Sequence, residues 1–182
     1  MATDLTLLLE RCLKHEPAAQ RELYERYAYK MMGVCLRYAK SVEEAEDLLQ
    51  DGFVKVFTRL KDFRSNGSFE GWVRRVMVTT AIDQFNKQKI YNQQFSLDDA
   101  PDLPAPESDA LDRMEADHVL ELINQLPDGA RMVLVLYTIE GYTHAEIGEL
   151  LKIKESTSKA QLSKARKMLV TLLQDQQNYV RP

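Results

Sequence analysis

Apolar residues recur at helical spacing through nearly all of this chain, and the recurrence fails in one place. Between Asn92 and Ala110 the pattern lapses, and three of the six prolines gather there, at Pro101, Pro104 and Pro106. Over residues 92–117, eight acidic side chains meet one base, Arg113, for a net charge of −7. Proline removes a backbone donor and biases its predecessor toward extended conformations. Repulsion between carboxylates keeps such a stretch open. Structureless loops above about 12–15 residues are uncommon inside a compact domain. The chain is therefore predicted to be all-α, with two small helical domains, 1–91 and 112–182, joined by an acidic flexible linker at 92–111. A single domain carrying a long surface loop is the less favoured arrangement.

The linker also corrects the meaning of the total charge. The 182-residue chain carries a net −4, which by itself speaks against a nucleic-acid partner. Flanking the acidic segment, residues 1–91 are net +2 and residues 118–182 net +1. A composition of 45% apolar and 29% charged residues suits a folded soluble protein. No apolar run approaches the ~18–20 residues that span a bilayer, so membrane insertion is not expected. The acidic N-terminal stretch, without a small-residue cleavage site, does not match a signal peptide. Cys12 and Cys35 sit in apolar helical patterns and are expected to be reduced core thiols in a cytoplasmic protein.

Leu5, Leu8, Leu9, Cys12 and Leu13 follow the spacing of one helix face. A second helix is predicted to start at Pro17, a favoured first-turn position, and to run through Leu23, Tyr27, Met31, Val34, Cys35 and Tyr38. Ser41-Val-Glu-Glu44 has the form of a capping box and opens a third helix. Arg64-Ser-Asn-Gly67 breaks the pattern, and Ser68 can cap a fourth helix containing Trp72, Val73, Val76, Met77 and Phe85. After the linker, a helix from about Asp112 should end at Leu126-Pro127. Asp128 can cap the next one, which stops at Gly141. Thr143-His-Ala-Glu146 is a second capping box, opening a short helix to about Leu151. A longer helix should then run from about Ser156 to Gln174. Strand-like alternation is absent, so no sheet is predicted.

Two segments carry chemistry. From Thr143 to Arg166, a two-turn helix, a tight break and a longer basic helix follow the plan of a helix-turn-helix. Residues 152–167 are net +5. Lys and Arg can neutralise phosphates, while Gln and Ser can reach base edges. A solvated amphipathic hairpin satisfies the same spacing. In the second segment, Glu46, Asp47, Gln50 and Asp51 share one helix face, because positions three and four apart are neighbours. A solvated face or a docking face for a basic partner both fit. Residues 55–89 are net +5, with Phe63, Phe69, Trp72 and Phe85 interleaved among Arg64, Arg74, Arg75, Lys87 and Lys89. Aromatic rings can stack unpaired bases while cations follow the backbone. Trp72 at helical spacing fits a core position equally.

Taken in order, these segments resemble a bacterial RNA polymerase sigma factor of the extracytoplasmic-function group. Ala45-Glu-Asp-Leu-Leu-Gln-Asp-Gly-Phe-Val-Lys-Val-Phe57 looks like that family's core-polymerase-binding helix. Phe69-Glu-Gly-Trp-Val-Arg-Arg-Val-Met-Val-Thr-Thr-Ala-Ile-Asp83 looks like its promoter-melting helix. Leu126-Pro-Asp-Gly-Ala-Arg131, Gly141-Tyr-Thr-His-Ala-Glu-Ile147 and Thr157-Ser-Lys-Ala-Gln-Leu-Ser-Lys-Ala-Arg166 look like its fourth domain.

The resemblance implies a subunit that directs core RNA polymerase to promoter DNA. Asp47, Gln50 and Asp51 would bind the coiled-coil clamp of the large polymerase subunit, with Phe53 packed behind them. Arg64, Ser65, Asn66, Ser68, Phe69, Trp72, Arg75 and Thr79 would engage the unwound −10 element, including a flipped base, and Lys87 and Lys89 would hold phosphates. Thr157, Ser158, Lys159, Gln161, Ser163, Lys164 and Arg166 would face the −35 element in the major groove. The acidic linker would thread the RNA-exit channel, and an anti-sigma protein is the implied kind of inhibitor. This chain departs from the family at Thr79, where Asn is frequent, and at Lys152 and Lys154, where Gly and Ser are usual. Thr lacks the amide that pairs bidentately with a base edge, so base selection at −10 would be altered. Ser156 is the alternative cap for the last helix.

Two other readings stay open on sequence alone. One is a helix-turn-helix regulator with no polymerase contact. The other is a sigma-like subunit whose DNA address a separate partner supplies. An enzyme is not expected: His15, His118 and His144 lack metal-ligand spacing, and no glycine-rich phosphate loop occurs. No cofactor or metal is expected.

Overall fold

The computed structural model describes residues 4–64, 67–95 and 114–179, with the side chains of 92–95, 114–118 and 175–179 excepted. Ser65, Asn66 and the 96–113 stretch with Pro101, Pro104 and Pro106 lie outside the described residues. Every regular element among those described is a helix, as the periodicity predicts. The chain divides into two compact units, Met1–Asp83 and Gln84–Pro182.

In the first unit, α1 (Asp4–Leu13) packs on α2 (Pro17–Cys35), and α2 packs on α3 (Val42–Thr58). A short 3₁₀ turn at Leu60–Asp62 leads toward α4 (Phe69–Phe95), whose residues up to Asp83 belong to this unit. Pro17 takes the first helical position of α2. That helix stops at Cys35, three residues short of expectation, because the amides of Arg37 and Tyr38 turn to the carbonyls three residues back. Tyr38 stays buried regardless. The cap of α3 forms with one variation: Ser41 Oγ accepts from the Glu44 amide at 3.2 Å, while the Glu44 carboxylate accepts from Lys40 N at 2.8 Å. Leu23, Leu48, Val56, Val73 and Met77 fill the core. Each such side chain contributes about 1.5–3 kcal/mol by leaving water. Gly52 lets α3 and α4 approach closely, since a Cβ there would collide with the Met77 thioether. The last turn of α4 extends to Phe95, four residues into the stretch expected to be linker.

In the second unit, α5 (Met114–Asn124), α6 (Asp128–Thr138), α7 (His144–Leu151) and α8 (Glu155–Tyr179) surround Leu122, Met132, Val133, Leu136, Ile147 and Leu151. Pro127, not Asp128, is the N-cap residue of α6. Asp128 instead lies in the first turn, where a carboxylate complements the helix dipole, and accepts from Arg131 Nη2 at 3.1 Å. Thr143 caps α7 with both halves of the box in place: Thr143 Oγ1 accepts from Glu146 N, and Glu146 Oε2 accepts from Thr143 N at 2.8 Å. Those bonds, backbone first and hydroxyl second, hold the Glu146 carboxyl below its ordinary range. The helix α8 begins at Glu155, so Ser156 lies within its first turn and does not cap it.

Candidate functional site

Three surfaces carry the residues singled out by sequence. On α3, Asp47, Gln50 and Asp51 are all exposed on one side, while Ala45, Leu48, Leu49 and Phe53 are buried on the other. Phe53 lies under the acidic face, its ring 4.7 Å from that of Tyr24. Beside this face, α2 and α3 leave a groove of about 300 Å³, lined by Tyr24, Tyr29 and Met32 from one helix and Glu46, Leu49 and Gln50 from the other. Tyr29 is 90% exposed. Sequence reasoning missed these α2 residues, although Tyr24 and Tyr29 fall off the Leu23–Tyr27–Met31–Val34 stripe and so had no core role to fill.

The second surface is the start of α4 and the loop before it. Arg64 and Ser68 are exposed, and Ser68 Oγ accepts from the Gly71 amide at 3.4 Å, as a cap should. Gly67 holds φ at +130°, a backbone shape that other residues rarely adopt. Phe69 does not face outward. It is 3% exposed and sits amid Tyr27, Phe63 and Trp72 at centroid distances of 5.4, 5.1 and 5.7 Å. Its position four residues before Val73 places it on the buried stripe, beneath the surface where the resemblance expects a DNA contact. Trp72 is half-buried and leans on both Phe63 and Phe69, so the core and the surface share its indole. Arg75 is exposed one turn further on. Thr79 is half-buried, and its hydroxyl points back to the carbonyls of Arg75 and Val76 at 2.9 and 3.0 Å. Lys87 is exposed and Lys89 half-buried.

The third surface is the outer side of α8. Thr157, Lys159, Ser163, Lys164 and Arg166 are exposed there. Lys159 Nζ lies 2.6 Å from Glu155 Oε1, and this hydrogen bond holds the Glu155 carboxyl below its ordinary range. Arg166 is placed over the Tyr137 ring, 6.0 Å from its centroid. Gln161 is half-buried near Gly129. Ser158 does not face outward with them: it is fully buried, and its hydroxyl lies 2.9 Å from His144 Nδ1. It precedes Leu162 by four and Ala165 by seven residues, the spacing of the inward face, so it cannot present its oxygen to a groove. Exposed Lys152, Lys154, Ser156 and Lys167 extend this basic surface beyond the residues chosen from sequence.

The two cysteines are buried and unbridged. Burial pushes the Cys35 thiol up to about 12, and raises that of Cys12. Among the described residues no group of His, Cys, Asp or Glu is arranged to hold a metal ion. Nor is any described helix long and apolar enough to cross a membrane.

Comparison with known proteins matches the same segments. Sigma-70 region 2 matches residues 23–90, and sigma-70 region 4 matches residues 117–169. The chain is 27% identical to the ECF RNA polymerase sigma-E factor of Haemophilus influenzae, covering 96% of this chain and 98% of that one. It is likewise 27% identical to the RNA polymerase sigma-H factor of Pseudomonas aeruginosa, covering 92% of each. Among solved structures, the sigma factor RpoE of Bartonella quintana, in complex with the anti-sigma factor NepR, aligns with a TM-score of 0.49 at 17% identity, over 85% of this chain and 96% of that one. With both sigma regions in order, and relatives that span nearly the whole chain, the protein belongs to the sigma-70 family as an extracytoplasmic-function sigma factor, a subunit that directs transcription initiation.

Proposed function

We propose a division of labour among the three surfaces. The acidic face of α3, with Asp47, Gln50 and Asp51 above buried Phe53, docks a basic coiled coil of the large subunit of core RNA polymerase. The observation that carries this is the separation on one helix of exposed carboxylates from a fully buried floor. The adjoining Tyr24–Tyr29–Met32 groove accepts an apolar side chain of the same coiled coil. Tyrosine supplies large contact area at low entropy cost, which suits an interface anchor.

Residues 1–91 form the polymerase-binding and −10 domain, 92–111 the acidic connection, and 112–182 the −35 domain. At −10, Arg64, Ser65, Asn66, Ser68, Trp72, Arg75 and Thr79 meet the unwound strand, and Lys87 and Lys89 meet its phosphates. Phe69 supports Trp72 from beneath. Unstacking a base costs a few kcal/mol, which the surrounding contacts must offset. The Thr79 hydroxyl, already turned to its own helix, supports a backbone-dominated contact there over base-edge reading. At −35, Thr157, Lys159, Gln161, Ser163, Lys164 and Arg166 face the major groove.

Capture of core polymerase tests the first assignment. Wild-type protein should retain the large subunits on affinity resin. The Asp47→Arg/Gln50→Ala variant should lose them while keeping its helical circular dichroism. Retention by that variant would refute docking through α3.

A further inference from the structure

The helix-turn-helix is locked by one side chain that no DNA-contact assignment includes. His144 is the first residue of α7, immediately after the Thr143 cap. Its ring stacks on Tyr137 of α6, with centroids 4.5 Å apart and planes 19° from parallel. Its Nδ1 lies 2.9 Å from Ser158 Oγ, one turn into α8. One imidazole thus touches α6, belongs to α7 and bonds α8. Ser158 is 0% exposed, so its hydroxyl has no access to water. A buried hydroxyl without a partner costs about 1–3 kcal/mol.

We infer that His144 is a positioning residue for promoter reading: its bond to Ser158 fixes the rotation of α8 about its own axis. This inference rests on the proposal that α8 enters the major groove. The outward residues Thr157 and Lys159 are the immediate neighbours of Ser158, so the angle at which they leave the helix follows from where Ser158 is held. Without the imidazole nitrogen, the Ser158 hydroxyl can turn back to its own helix, as that of Thr79 does, and the hydrogen bond between α7 and α8 at this point is lost. Freed of that bond, α8 turns about its axis and carries Thr157, Lys159 and Lys164 away from their register. Contacts to base edges depend on that register, whereas phosphate attraction tolerates its loss. Loss of the bond should therefore lower specific binding and spare non-specific binding.

The test uses reconstituted holoenzyme on a promoter fragment recovered by its own footprint, with a fragment of scrambled −35 sequence as reference. His144→Phe keeps an aromatic ring for Tyr137 and removes the nitrogen. It should reduce the preference for the promoter over the scrambled fragment about tenfold, a loss typical of one misread base pair. Binding to the scrambled fragment should not change. His144→Asn places an amide atom where Nδ1 was and should restore most of the preference. Adding Ser158→Ala to His144→Phe should cause no further loss of preference, since the bond between the two side chains is already gone. Thermal melting of each variant separates misfolding from misreading. Unchanged preference in His144→Phe, failure of the His144→Asn rescue, or a further loss on adding Ser158→Ala would overturn the positioning role. Lys164→Ala is the control for the groove assignment itself. If it leaves the −35 footprint and affinity intact, the assignment of α8 to the groove fails, and the role of His144 fails with it.

Discussion

The amide of Ile153 donates to the carbonyl of Gly148 at 2.9 Å, and this bond closes the turn between α7 and α8. Lys152 lies inside the loop so formed, in a left-handed conformation at φ 54° and ψ 51°. A Cβ on Gly148 would stand 3.0 Å from the Ile153 carbonyl oxygen. The turn thus places glycine where space demands it and a lysine where backbone shape favours glycine.

Lys152→Gly should stabilise the second unit. A left-handed non-glycine residue costs roughly 1–2 kcal/mol, and glycine's greater chain entropy returns roughly 0.5–1 of it. A net gain of about 0.5–1 kcal/mol should raise the urea midpoint of that unit. Gly148→Ala should lower it by about 1–3 kcal/mol, the range for overpacking against a backbone that cannot yield.

The cap of α7 gives a pH signature. Glu146 is held below its ordinary range in the folded protein, first by the Thr143 amide and then by the Thr143 hydroxyl. Its contribution is therefore complete above the unfolded carboxyl value and fades as pH falls through the lower folded value. Glu146→Gln should remove that part of the acid sensitivity, seen as a shallower loss of melting temperature below about pH 4.5. Thr143→Ala should cost about 1 kcal/mol at neutral pH.

Phe69 is a core ring beneath the surface that the resemblance assigns to −10 DNA. Phe69→Ala should destabilise the first unit by about 3–5 kcal/mol, as large-to-small core substitutions do. The chain's single tryptophan, Trp72, leans on that ring, so its fluorescence reports the loss directly in a urea titration. A variant with unchanged stability but weakened −10 binding would reverse this assignment.

Neither cysteine should react in the native state. Both are buried, and burial pushes the Cys35 thiol up to about 12. A thiol reagent at pH 8 should modify both only at the rate of unfolding. Rapid labelling of either would contradict the packing of α1, α2 and their neighbours.

Much of this was legible in the sequence because local chemistry decided it. Ser41 and Thr143 cap where their three-residue spacing to glutamate says they should, and Pro17 opens α2. The awkward bend at Lys152 was likewise visible as a missing glycine. What escaped depended on the exact rotation of a helix. Ser158 and Phe69 each stand four residues before a buried apolar residue, although chemical type or motif membership points each outward. Position on the stripe outweighed residue type in both. Asp128 lost its capping role because Pro127 already supplied the extended residue before α6. The groove beside α3 needed two helices at once, so α2's Tyr24 and Tyr29 carried no signal beyond being surplus to its apolar face.

The DNA protected by reconstituted holoenzyme tests the central claim most directly. Core polymerase with the wild-type chain should protect discrete genomic fragments that share two sequence elements, and core with Asp47→Arg/Gln50→Ala should protect none of them. Fragments equally protected by the chain without core polymerase, or no specific protection with it, would contradict the account.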